Sequence, residues 1–216
     1  MCVIKKAELV DVDNILNLQQ KIWEDLDNKK NLQTSSKEFI EYCILIGGVV
    51  YLIYEGDVLI GYRFIYFPKK REFNLGRGII PDDQLETVAH LDTTCLLKEF
   101  RGKGIGKDLA GLSIDFIAKN KMQHVLATVA PNNIASMKVM FYAGLKIVDY
   151  TSDFNEKERY IFHNCLTAEG ESWKNFSHEM AVDVSSKLEI VSLLKEKWVG
   201  IGLTSTKDST FMILQR

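Results

Sequence analysis

The sequence predicts an α/β (α+β) protein, and three observations carry that reading. Stripes of helical periodicity alternate along the chain with short runs of strand character. The segment VVYLIYEGDVLIGYRFIYF at 49–67 joins two apolar runs through Glu55-Gly56-Asp57, a strong hairpin signal. A strand-like run, TVAHLDTTCLL at 87–97, leads straight into FRGKGIGKDLAGL, where three alternating glycines open an amphipathic stretch.

Taken in order, residues 2–8 suit a short strand. From Asp11, a residue fit for an N-cap, Ile15, Leu18, Ile22 and Leu26 recur at spacings of 3, 4 and 4. After a polar stretch, Ser35-x-x-Glu38 reads as a capping box opening a second short helix. The hairpin follows. Residues 68–86 form a long connection, and loops of that length in compact domains are usually functional or mobile. Beyond the strand at 87–97, Ile105, Leu109, Leu112 and Phe116 mark one apolar helix face. The pattern then predicts a strand at HVLATVA, a helix over 133–142, and strands near 144–150 and 158–166. A last unit follows: a strand near 179–184, a helix capped by Ser186-x-x-Glu189 and striped by Leu188, Val191, Leu194 and Trp198, and a closing hairpin turning near Lys207-Asp208.

The 216 residues are enough for one well-buried core. A net charge of −2 provides no global basic field, so a dedicated nucleic-acid binder is not expected. Cys2, Cys43, Cys95 and Cys165 lie far apart without C-x-x-C or zinc-type Cys/His spacing. They read as thiols in a reducing compartment, and no metal site is expected. The N-terminus lacks the apolar stretch of a signal peptide. The longest apolar run, Cys43 to Tyr54, contains Gly47-Gly48 and falls short of the about 20 residues a bilayer requires. The expectation is a soluble cytoplasmic protein without a membrane or nucleic-acid partner.

The glycine stretch admits few chemistries. A Walker A loop needs a hydroxyl after Gly-Lys, whereas Asp108 follows Gly106-Lys107. A dinucleotide fingerprint needs G-x-G-x-x-G, whereas these glycines stand at 102, 104 and 106. What remains is strand, R-G-x-G-x-G, helix. Glycine lets a ligand approach the main chain closely, and the first amides of a helix are unpaired at the positive end of its dipole. Arg101, Lys103 and Lys107 add charge, so the stretch reads as a pyrophosphate cradle. The plainer alternative is a glycine-rich turn in a basic surface loop.

The order of elements, RGKGIG at 101–106 and the later A-P-N-N-x-x-S-x-x-V-x-x-x-x-G-L from Ala130 to Leu145 together resemble the GNAT superfamily of acetyl-CoA-dependent N-acetyltransferases. The likeness centres on 86–145; residues 1–67 fit by element order only, and 167–216 extend past the core fold. The resemblance implies a mixed, mostly antiparallel sheet of six or seven strands flanked by helices. It makes 1–166 the N-acetyltransferase domain and 167–216 a strand-helix-hairpin extension, packed on that domain or at a dimer contact involving Trp198. It also implies that the strand before the glycine loop splays from its neighbour and pairs with the pantetheine arm at Thr94, Cys95 and Leu96. The amides from Gly102 through Lys103, Gly104, Ile105 and Gly106 to Lys107 would hold the pyrophosphate. Asn133, with Ser136, takes the family's asparagine position; it equally suits a helix N-cap.

The catalytic groups are less determined. Where many family members carry a tyrosine near the departing sulfur, this chain has Met140; Tyr142, two residues on and about 200° around the helix, is the candidate acid, an aromatic packing on the sheet explains it equally well, and protonation through water is the alternative. For the general base, alternation on 87–97 places His90, Asp92 and Thr94 on one face. His90 titrates in a suitable range and Asp92 can orient a water or hold the amine, while a structural polar pair explains them equally well. Glu86 is a third option. His124, His163 and His178 read as surface residues, Cys95 as a small apolar strand residue, and Tyr62, Phe64, Tyr66 and Phe67 as core. The implied reaction is direct attack of a substrate amine on acetyl-CoA in a ternary complex. A non-catalytic acyl-CoA sensor is the alternative, and phosphate or nucleotide binding a third. The acceptor, a small-molecule or peptide amine, stays open: Asp82, Asp83, Glu86 and Asp92 suit a cation, while Lys69, Lys70 and Arg71 oppose one.

Overall fold

The structure, a computed structural model, describes residues 2–69, 72–154, 157–167 and 176–216. Lys70 and Arg71 of the connecting loop, and part of the segment leading into the extension, lie outside the described residues. Strand β1 (Cys2–Lys6) leads through a 3-10 turn into α1 (Val12–Glu24). Ile15, Leu18 and Ile22 turn inward, as their spacing predicts, together with Val12 and the polar Gln19. Asp11 takes the N-cap position of α1 but caps nothing there; its Oδ2 accepts from the Glu8 amide, closing the preceding turn. The cap of α2 (Lys37–Tyr42) is Ser36 rather than Ser35: its Oγ accepts from Phe39 N at 3.2 Å. Ser35 is instead occupied by Gln19, whose amide both donates to the Ser35 carbonyl and accepts from its N–H.

A π-turn (Cys43–Gly47) leads to the hairpin β2 (Gly48–Glu55) and β3 (Val58–Tyr66), which turns at Gly56-Asp57 with Gly56 at φ +58°. A 3-10 turn (Asp82–Thr87) precedes β4 (Val88–Leu96), and α3 (Ile105–Lys119), β5 (His124–Val129), α4 (Ile134–Tyr142), β6 (Lys146–Phe154) and β7 (Lys157–Cys165) follow. The extension supplies β8 (Glu179–Asp183), α5 (Lys187–Lys195), β9 (Val199–Ser205) and β10 (Thr210–Gln215).

The strands form one ten-stranded sheet, ordered β1-β2-β3-β4-β5-β7-β6-β9-β10-β8. It is mixed and mostly antiparallel, with β4 and β5 as the parallel pair. The expected six or seven strands are therefore extended by three more, β9 joining at β6 through Ile147 and Gly200. Helices cover both faces. On one, α1 and α2 bury Ile15, Ile22 and Ile40 against Leu52, Tyr62 and Phe64. On the other, α3, α4 and α5 bury Ile117, Met137, Met140 and Ile190 against Tyr51, Ile65, Ala89 and Leu91. Each such side chain contributes about 1.5–3 kcal/mol by leaving water.

The extension departs from its predicted pattern. The inward face of α5 is Ile190 and Leu194, while Leu188 is 81% exposed. Ser186 stands at the N-cap without a side-chain bond. Trp198 is buried in the core of its own chain. His124 and His163, expected on the surface, are buried and hydrogen-bonded to each other at 3.0 Å, with His124 Nε2 2.8 Å from Gln84 Oε1. Among the described residues no helix is long and apolar enough to cross a membrane, and no group of three or more His, Cys, Asp or Glu side chains is placed to hold a metal.

Candidate active site

The site begins where two strands part. β4 pairs with β5 only over Val88, Ala89 and His90, opposite His124, Val125 and Leu126. Beyond that point β4 runs on to Leu96 and β5 to Val129 without pairing. On its other side β4 stays bound to β3, with Thr94 opposite Arg63, Cys95 opposite Tyr62 and Leu96 opposite Gly61. The backbone edge of Thr94, Cys95 and Leu96 facing β5 is thus open, so an extended chain can add to it as a short strand.

At the end of β4 the chain makes a 3-10 turn (Lys98–Phe100) and enters the glycine loop. Gly102 and Gly104 have φ of +77° and +86°, which only glycine adopts without strain, and a Cβ on either would meet nothing within 4 Å. The loop therefore faces open space. Among the described residues, the backbone N–H groups of Gly102, Lys103, Gly104, Ile105 and Gly106 find no protein acceptor; the ladder of α3 starts with Lys107 N donating to Gly104 O at 2.8 Å. Gly106 brings α3 close to α4, since a Cβ there would lie 3.2 Å from Val139 Cγ2. Arg101 folds back, its Nε donating to Leu96 O at 2.9 Å, and so ties the loop to the strand. Lys103 and Lys107 rest over the rings of Phe100 and Tyr142 at 4.8 and 5.0 Å. Five unpartnered donors, a helix N-terminus and three cations make an anion site that could hold a coenzyme pyrophosphate. Asn133 caps α4, its Oδ1 accepting from Ser136 N at 3.1 Å.

The strand itself does not alternate as expected. Between the Ile65–Leu91 and Arg63–Thr94 pairs, β4 carries one residue more than β3: a β-bulge at Asp92-Thr93. Beyond it the faces exchange. His90, in ring contact with Tyr66, and Cys95, packed with Tyr62, share the α1–α2 face, whereas Thr94 turns to Arg63. The three residues expected on one face are therefore divided.

His90 is 3% exposed, and its Nε2 accepts from Leu75 N at 3.1 Å. Burial pushes its pKa down to about 3. A neutral imidazole whose lone pair is already engaged is a poor proton acceptor, and it serves to hold the 68–86 loop on the sheet. Glu72 does the same from above, accepting from the hydroxyls of Tyr42 (3.0 Å) and Tyr66 (2.5 Å). Asp92 differs. It keeps solvent access, yet protein atoms surround it on most sides, as for a group on the floor of an open cleft. That desolvation raises its carboxyl pKa, against hydrogen bonds from Thr93 and the charge of Arg63. Tyr142 is 60% exposed under the Lys107 ammonium on the outer side of α4, and Met140 is buried. Cys95 is a buried thiol pushed up to about 12 by desolvation, inert as a nucleophile. Glu86 is exposed on the turn before β4.

Sequence reasoning missed the roof of the cleft. The α1–α2 loop is held at one end by Gln19, which bonds Ser35 and accepts from Tyr62 on β3 at 3.3 Å. At the other, Arg159 on β7 donates to Lys30 O at 2.7 Å, and Lys157 to Gln33 Oε1 at 2.9 Å. Since β4 and β5 lie between β3 and β7, a segment fixed at both must cross above them. It missed Arg63 as well. The available signal was a lone charge inside the apolar run GYRFIY.

The family model described as the acetyltransferase (GNAT) family matches residues 12–142, and the chain belongs to this family. No curated protein matches the chain. Solved structures share the fold at low identity. yncA from Salmonella typhimurium, with acetyl-CoA, is 17% identical at a TM-score of 0.60, over 77% of this chain and 95% of that one. NAA60 of Arabidopsis thaliana, in complex with acetyl-CoA, is 16% identical at a TM-score of 0.60, over 77% and 99%. Ribosomal-protein-alanine N-acetyltransferase from Brucella melitensis is 17% identical at a TM-score of 0.56, over 76% and 99%.

Proposed function

We propose that this acetyltransferase is an N-acetyltransferase using acetyl-CoA, with a primary amine of a small molecule or a peptide as acceptor. The observation that carries the reading is the row of five unpartnered backbone amides from Gly102 to Gly106, set where β4 and β5 part. Acetyl-CoA would supply a thioester that an amine attacks directly, with the thiolate leaving.

The rest is the work of this chain. The amides, with Arg101, Lys103 and Lys107, hold the pyrophosphate. The open edge of Thr94, Cys95 and Leu96 aligns the pantetheine arm as an added strand, and its N–H groups supply donors for the carbonyl oxygen. Asn133, whose Oδ1 is spent on the helix cap with Ser136, has its amide N–H₂ to offer. Asp92 takes the proton of the attacking amine, directly or through one water. With Tyr142 outside and Met140 in its place, the thiolate takes its proton from solvent. In this reading 1–166 is the catalytic domain, 167–216 an extension of it, and the protein acts in the cytoplasm without nucleic-acid or membrane partners.

Calorimetric titration with acetyl-CoA and, separately, ATP tests the cradle, repeated on Gly104→Glu. The expected result is micromolar binding of acetyl-CoA alone, lost in the variant; a folded wild type that binds no acetyl-CoA would sink the proposal. The engaged lone pair of His90 and the exposure of Tyr142 favour one rival, an acyl-CoA sensor. Tight CoA binding without thiol release across a broad amine panel would select it.

A further inference from the structure

Arg63 is fully buried in β3. Its Nη1 donates to Thr94 Oγ1 at 2.6 Å, while Nε and Nη2 have no protein partner among the described residues. No described carboxylate comes within ion-pair distance of it. As a stabilising device this is a poor choice: a desolvated cation with one hydrogen bond holds a sheet together less well than an apolar residue of the same volume. Its position suggests why it is there. Arg63 pairs in register with Thr94, and the next step of the β3–β4 ladder is the Asp92-Thr93 bulge.

The geometry points to Arg63 as a positioning residue for acetyl transfer: it grips Thr94 beneath the cleft and, standing beside the bulge, supplies the fixed positive charge that keeps the Asp92 carboxylate ionised. This rests on the reading of Asp92 as the proton acceptor. The groups acting around Asp92 are Arg63 and Tyr62 from β3, Thr93 and Cys95 from β4, and Cys43 from the π-turn. Burial pushes the Cys43 and Cys95 thiols up to about 12 and the Tyr62 phenol well above its usual range, so all three stay neutral at working pH. Arg63, lowered by burial to about 10, stays charged. Desolvation and Arg63 therefore pull Asp92 in opposite directions. Desolvation is the larger of the two, so the carboxyl already lies above its usual range, and without the guanidinium it would bind its proton more tightly still, where it must accept the amine's.

The test is a ¹³C carboxyl titration of Asp92, assigned by its loss in Asp92→Asn, in the wild type, Arg63→Lys and Arg63→Met. The wild-type carboxylate is expected to be ionised at neutral pH, and its proton affinity to rise about tenfold in Arg63→Met but little in Arg63→Lys. A wild-type carboxyl still protonated at neutral pH overturns the proposal with no variant needed, even if Arg63→Met fails to fold. So does a folded Arg63→Met that titrates like the wild type. The readout needs no acceptor. If Asp92→Asn acetylates an amine at the wild-type rate while the Arg63 shift persists, the role of Asp92 falls, and with it the catalytic part of this inference.

Discussion

Substituting Gly104 by alanine separates what the glycine loop does for the fold from what it does for a ligand. The N-cap of α3 sits at φ +86°, so a methyl there costs about 1 kcal/mol of backbone strain. It meets no atom within 4 Å, so no steric penalty is added. For a chain of this size the melting temperature should fall by roughly 2–4 °C. The effect on acetyl-CoA should be larger. The methyl enters the open space before the amides of Gly102–Gly106, and a phosphate must give up or stretch at least one charge-assisted hydrogen bond. Such bonds contribute about 1.5–3 kcal/mol, so the Kd should rise roughly 10- to 100-fold. Gly56 is the matched control: φ is +58°, a Cβ again meets nothing within 4 Å, and the residue lies in the β2–β3 turn. Gly56→Ala should lower the melting temperature comparably and leave the Kd unchanged. Calorimetry and thermal melts on both variants decide it. A Gly104→Ala protein that melts early but binds like the wild type would refute the cradle; equal loss of binding in Gly56→Ala would show that the effect is only stability.

Two further outcomes follow from desolvated titratable groups. Asp92→Asn should lower kcat by about 10²–10⁴ with acetyl-CoA affinity unchanged. Because desolvation raises the folded-state pKa of Asp92, its charge destabilises the fold above that pKa; the variant should therefore be the more stable at neutral pH, with the gap closing as pH falls, as urea melts at several pH values would show. His163 is the opposite case: burial and then the neighbouring His124 hold it at about 4 against an ordinary 6.5, so stability is full above 6.5 and lost as pH falls through about 4. His163→Gln should flatten that acid limb, and an unchanged limb would mean the pair titrates elsewhere.

What was legible in the sequence follows from the range of each interaction. The faces of α1 and of the start of α3 were readable because Ile15, Leu18 and Ile22, or Ile105 and Leu109, are set by helical spacing alone. The glycine loop was readable because a left-handed backbone and bare amides both demand glycine nearby. The bulge was not, since Asp92-Thr93-Thr94 alternates as well as any strand and the extra residue exists only relative to β3. His124 and His163, 39 positions apart, became a buried pair only through the β5–β7 register. Ser35 lost its cap to Ser36 because Gln19, 16 residues earlier, had claimed its backbone. Leu188 fits the helical stripe of α5, but the sheet that α5 packs on selects Ile190 and Leu194.

The roof over the cleft has a consequence for folding order. Its ties from Arg159 and Lys157 to residues 30–33 close loops of 124–129 residues, whereas the hairpin and helix beneath it form from neighbours in sequence. Long closures come late, after β7 has already paired with β5. A chain can therefore carry a finished sheet and a finished glycine loop while the cleft between β4 and β5 still lacks its cover. In partial unfolding the same ties should let go first, so that amide exchange at 30–35 outpaces that of β3 and β4 and the glycine loop outlives the cover of the cleft.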